Sequence, residues 1–191
     1  MSLINSFFGK KKSNDVCSSR SSQTKNYQYI LNNAVAFAGL CGKISKSEDK
    51  RCAFPVYYRL RTTDTGLVEV YATHTIHDDD LLDFAYNRAM ENDRFGVEYA
   101  YNQMIDKYKL TSTELRSFQD VSDFMDFLRG GISGYNSCKR SGSDIEITQE
   151  LGCVQSYEKN VILSEIKRSV LNSYSDVRAK TYGSTAVEIS F

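Results

Sequence analysis

Apolar residues recur along this chain with two periods, and the places where the period changes divide it into helices and strands. Tyr27, Ile30, Leu31, Ala34, Ala38 and Cys41 keep the three-to-four-residue rhythm of one helical face, and Gly42 stands where a left-handed cap would end the helix. A polar connector, residues 43–50, leads to Phe54, Val56, Tyr58 and Leu60, which alternate with Pro55, Tyr57, Arg59 and Arg61. Period two predicts a strand, with the proline tolerated at its start. Thr63-Asp64-Thr65-Gly66 supplies turn chemistry, and Val68, Val70 and Ala72 resume the alternation. Residues 54–73 therefore predict an antiparallel hairpin.

The middle of the chain returns to helical spacing. Asp78, Asp79 and Asp80 precede Leu81, Leu82, Ala85 and Ala89, which places carboxylates at the positive end of a helix running to about Asn92. Val97, Ala100, Tyr101, Met104 and Tyr108 share one stripe of a third helix. Thr111-Ser-Thr-Glu114 has capping-box spacing and predicts a short turn, and Val121, Phe124, Met125 and Leu128 form a further apolar stripe closed by Gly130 and Gly131. Residues 133–143 have the composition of a long exposed loop. Ile145 and Ile147 alternate with polar neighbours as a short strand, Ile162, Ile166, Val170 and Tyr174 mark a last long helix, and Val187 to Phe191 alternate again as a strand expected to close the sheet. The expected fold is α+β: a small antiparallel sheet, made of the hairpin at 54–73 and short strands near 144–148 and 185–191, with about five helices packed on it. There is no internal repeat.

Charge and cysteine usage change this picture at the ends and in the centre. Residues 1–26 carry Lys10, Lys11, Lys12, Arg20 and Lys25 against Asp15, a local charge of +4 within a chain of zero net charge. Residues 9–25 hold almost nothing apolar, so a flexible basic tail is expected at 1–26 and a single folded domain at 27–191. Ahead of that run, Leu3, Ile4, Phe7 and Phe8 would cluster on one side of a short docking helix. Lysines that follow the apolar residues reverse the order of a secretory signal, and no run approaches the roughly 20 apolar residues of a membrane span. Five cysteines with no C-x-x-C pair point to reduced thiols and a cytoplasmic setting.

Candidate chemistry is sparse. His74-Thr-Ile-His77-Asp78-Asp79-Asp80 gathers imidazoles and carboxylates at a strand–helix junction, and His74, His77 and Asp78 are the residues a metal-dependent enzyme would use. Helix capping accounts for the same aspartates without a metal. Cys138 lies beside Lys139 and Arg140, which would favour its thiolate, whereas Cys41 and Cys153 sit in apolar contexts. No phosphate-binding glycine motif and no G-x-S-x-G elbow occurs. No catalytic residue and no cofactor is assigned.

Two surfaces remain. Residues 78–126 hold twelve Asp and Glu against five Lys and Arg, interleaved with more large apolar side chains than one buried stripe needs. Asp78, Asp79, Asp80, Asp83, Phe84, Asp120, Asp123, Phe124, Asp126 and Phe127 are the expected partner-binding residues. The chain therefore reads as a non-enzymatic adaptor, inhibitor or accessory subunit for a protein with a basic surface. One version is a blocker of a nucleic-acid-handling machine, of the kind phages and mobile elements encode; a homo-oligomer is also compatible. The alternative is direct nucleic-acid binding through Lys10, Lys11, Lys12, Tyr57, Arg59 and Arg61, where arginine interleaved with tyrosine can contact phosphates and stack bases.

Overall fold

The computed structural model describes residues 20–47, 55–77, 80–118, 120–130 and 137–191. The tail lysines Lys10 to Lys12, the segment Leu3 to Phe8, and Asp78 and Asp79 lie outside these residues. Among the described residues, five α-helices and six strands form one α+β unit. The strands are β1 (Val56–Thr62), β2 (Val68–His77), β3 (Ser137–Ser141), β4 (Asp144–Val154), β5 (Arg178–Tyr182) and β6 (Ala186–Ser190). They make one sheet in the order β3-β4-β2-β1-β6-β5, with every neighbouring pair antiparallel.

The hairpin follows its alternation. Tyr58 pairs with Ala72 and Leu60 with Val70, and Gly66 takes the left-handed φ of 80° that the turn requires. Val56, Tyr58, Val68, Val70, Ala72, His74 and Ile76 are buried on one side, together with Ile145 and Ile147 of β4 and Val187 and Ile189 of β6. This side is covered by α1 (Arg20–Ser47), whose buried stripe includes Ile30, Ala34, Phe37, Cys41 and Ile44, and by α5 (Lys159–Ser173), which packs beside it. The Tyr58 hydroxyl donates to the Ala34 carbonyl at 2.6 Å and ties β1 to α1.

Four expectations are corrected. Helix α1 does not end at Gly42 but runs on to Ser47; a Cβ at Gly42 would stand 2.4 Å from the Phe191 ring, so the glycine serves close packing and not a cap. It also begins at Arg20, within the segment assigned to the tail. The loop expected at 133–143 contains β3, which pairs with β4 through Cys138↔Ile147 and Arg140↔Ile145. The C-terminal strand β6 does not close the sheet: it lies between β1 and β5, and β5 is the edge.

The helical middle comprises α2 (Asp80–Met90), α3 (Arg94–Tyr108) and α4 (Val121–Leu128), with a short 3-10 helix at Glu114–Ser117. Leu82, Ala85 and Ala89 of α2 are buried, as are Val97, Ala100, Met104 and Tyr108 of α3, so this helix pair shares one apolar seam. Glu114, itself buried, accepts from the Thr111 backbone at 2.8 Å and from the Thr111 hydroxyl, lies 3.3 Å from the Lys43 ammonium, and receives the Tyr174 hydroxyl at 3.3 Å. The half-formed capping box thus joins α1, the 3-10 turn and the end of α5. Gly39 makes room for it: a Cβ there would stand 2.0 Å from the Tyr174 hydroxyl.

Candidate functional site

The expected acidic and aromatic surface divides under the geometry into residues that face out and residues that do not. Phe124 and Phe127 are buried, and they cannot meet a partner from there. Phe118 packs against both at ring-centroid distances of 5.1 and 5.2 Å, and Tyr101 meets Phe124 at 5.3 Å. Helix α4 is buried on two sides, which absorbs the surplus of apolar residues that had suggested an exposed stripe. Asp120 caps this helix, accepting from the backbone amides of Ser122 at 2.7 Å and Asp123 at 3.0 Å. Asp126 is exposed and Asp123 half-buried on the same helix.

On α2, Asp80 is exposed at the first turn and Asp83 pairs with Arg140 of β3, whose guanidinium also lies 5.7 Å over the Tyr86 ring. Phe84 is 39% exposed and meets Tyr99 of α3 edge-to-face at 6.3 Å. Tyr99 is 59% exposed, and Phe95, one helical turn before it, is 84% exposed. Residues four apart lie on one face of a helix, so Phe95 shares with Tyr99, and through it with Phe84, the outer face opposite the buried seam. Arg88 fixes its edge. Its guanidinium lies 5.4 Å over Phe84 and pairs with Glu91 at 2.8 Å and Asp93 at 3.6 Å, and its stem fills the space where a Cβ at Gly96 would stand. Asp93 caps α3 through the Gly96 amide at 3.0 Å.

Phe95 and Tyr99 are the residues the sequence reading did not place in the site. The signal was an aromatic pair four residues apart on the polar side of α3, away from the Val97, Ala100 and Met104 stripe. Helices α2 and α3 carry four carboxylates and three cations, a local charge of −1, and the linker between them adds Glu91 and Asp93.

The histidine cluster has a different character. His74 is buried on the helix-covered side of β2, with Nε2 at 2.9 Å from the Ser45 hydroxyl and Nδ1 at 3.4 Å from the Pro55 carbonyl. A carbonyl can only accept, so Nδ1 carries the proton and Nε2 accepts from Ser45. Both nitrogens are engaged, and burial, slightly opposed by the Pro55 carbonyl, lowers the pKa from 6.5 to about 4. Among the described residues, no group of three His, Cys, Asp or Glu side chains is placed to hold a metal ion. The His77 side chain and Asp78 lie outside them. Cys138, expected at a basic loop, is buried in β3 instead, and burial pushes its thiol up to about 12, the opposite of an activated nucleophile.

The hairpin cations face outward. Arg59 and Arg61 are exposed, the Arg59 guanidinium lies 5.1 Å over the Tyr57 ring, and Arg61 pairs with Glu69 at 2.8 Å. Among the described residues no helix is long and apolar enough to cross a membrane. Comparison with family models, with curated proteins and with solved structures finds no match for this chain.

Proposed function

We propose that this protein is a non-enzymatic binding module, an adaptor, inhibitor or accessory subunit, that presents the outer face of α2 and α3 to a protein partner with a basic surface. The single observation that supports this reading is the exposure of Phe95 and Tyr99 beside Phe84 on one face of the helix pair. Large rings left in water on one face are what interface centres use, because removing them from water stabilises association. The surrounding Asp80, Glu91, Glu98 and Asp106 would speed encounter with a cationic partner. Asp83, Asp93 and Asp120 contribute less, since each already serves an ion pair or a helix cap.

Affinity capture with the immobilised full chain tests the reading when run beside Phe95→Ser/Tyr99→Ser and beside Arg59→Ser. A stoichiometric protein retained by wild type and by Arg59→Ser, and lost from the double variant, is the expected result. Equal capture by all three, or turnover of a substrate by a chain that captures nothing, overturns it.

A further inference from the structure

The helices α1 and α5 cover only one side of the sheet. Among the described residues no element packs on the other side, which presents Tyr57, Arg59 and Arg61 of β1, Glu69, Tyr71, Thr73 and Thr75 of β2, Ala186, Glu188 and Ser190 of β6, and Arg178, Lys180 and Tyr182 of β5. The register arranges them in rows. Tyr71, Arg59, Ala186 and Tyr182 lie in line across four strands, and Thr73, Tyr57, Glu188 and Lys180 form the next line. The small Ala186 leaves a floor between Arg59 and Tyr182.

Charge is divided across this face. On the β4 side stand Asp144, Glu146 and Glu150, with Lys139 opposite Glu146. On the β1-β6-β5 side the two carboxylates are engaged: Glu188 accepts from the Tyr182 hydroxyl at 2.5 Å, and Glu69 is held by Arg61 at 2.8 Å. Arg59, Arg178 and Lys180 are exposed and enter no ion pair among the described residues. Two of them instead rest against rings, Arg59 over Tyr57 at 5.1 Å and Lys180 over Tyr182 at 4.7 Å.

We propose that the β1-β6-β5 half of this open face binds single-stranded nucleic acid, with Tyr57 and Tyr182 as stacking platforms and Arg59, Arg178 and Lys180 on the backbone phosphates. Cations that enter no ion pair among the described residues match the phosphates, and the rings they now rest against match unstacked bases, without demanding a sequence, once Arg59 and Lys180 turn from the rings to the backbone. Three strands at about 4.8 Å spacing give a strip about 10 Å wide, the breadth of one strand. A duplex broad enough to reach β4 would bring its phosphates onto Asp144, Glu146 and Glu150, so the divided charge selects against it. This site is separate from the α2–α3 face, and neither proposal depends on the other.

Fluorescence anisotropy of labelled oligo(dT) and oligo(U) with the full chain, from low to moderate salt, provides the test. A matched duplex, an acidic peptide, the variants Arg59→Ala/Lys180→Ala, Tyr182→Ala and Phe95→Ser, and a chain with Lys10, Lys11 and Lys12 changed to Ser complete it. The expected result is salt-sensitive binding of the single strands, tighter than of the duplex. The cation pair and the tyrosine variant should each weaken it about ten-fold or more, while Phe95→Ser leaves it unchanged. Unchanged melting of each variant separates lost contacts from lost folding. The proposal is overturned by absence of binding at low salt, by binding that only the tail variant removes, by equal competition from the acidic peptide, or by self-association of the chain through this face in its place.

Discussion

Tyr57 and Tyr58 are neighbours on β1, yet they belong to different environments. Tyr58 is fully buried under α1, with its hydroxyl on the Ala34 carbonyl, and burial drives its pKa well upward. Tyr57 is half-buried on the open side between Thr73 and Glu188, with Arg59 over its ring. Period two puts one side chain into a packed layer and the next onto a polar surface, so adjacent identical residues meet different surroundings. The covered side supplies stability, and the open side is free to hold charges and rings that stability does not need.

The largest expected effect follows from this contrast. Tyr58→Ala removes a fully buried ring between sheet and helix and leaves a cavity, at a cost of about 3 to 5 kcal/mol in urea unfolding. Tyr58→Phe keeps the ring and loses the bond to Ala34, about 1 kcal/mol, since that carbonyl belongs to a helix. A Tyr58→Ala cost below about 1 kcal/mol would mean that α1 does not seat on this side.

His74 gives the covered side a pH dependence of intermediate size. Its folded pKa of about 4 lies below the ordinary 6.5, so between these values the unfolded chain binds a proton that the folded chain refuses. This contribution to stability is complete above pH 6.5 and falls as pH is lowered toward 4, with a loss of about 2 kcal/mol between pH 7 and pH 5. His74→Gln, which cannot titrate, should flatten that part of the profile while lowering its plateau. An unaltered slope in His74→Gln would place the ring in water.

The same contrast explains what was legible in the sequence. The hairpin was readable because β1 and β2 are central strands whose alternation separates a covered side from an open one. Strands β3 and β5 were not, because both are edges: β5 has no buried residue and β3 buries Cys138, so neither shows an apolar period. The strand read near 144–148 extends to Val154, past a register shift opposite Val70 and Tyr71 that breaks the alternation. Of the expected partner-binding residues, Asp80 and Phe84 could be singled out because carboxylates and a surplus ring stand out in composition, and both are exposed. Phe124 and Phe127 were misplaced because a helix enclosed on two sides resembles an interface helix until its neighbours are known. Tyr182 was invisible, since its relation to Tyr57 and Arg59 is made only when β6 inserts between β1 and β5.

The smallest expected effect is the most discriminating. Tyr57→Ala removes one cross-strand partner of Thr73 and Glu188 on a face without a covering layer, which should cost about 0.5 kcal/mol in the same unfolding experiment. The neighbouring ring costs several times more because its removal also opens a cavity, which Tyr57, bordered by water, does not leave. A Tyr57→Ala cost near that of Tyr58→Ala would show a layer over the open side in solution, built from segments outside the described residues or from a second copy. In that case Arg59, Lys180 and Tyr182 would be packing residues, and no strand of nucleic acid would reach them.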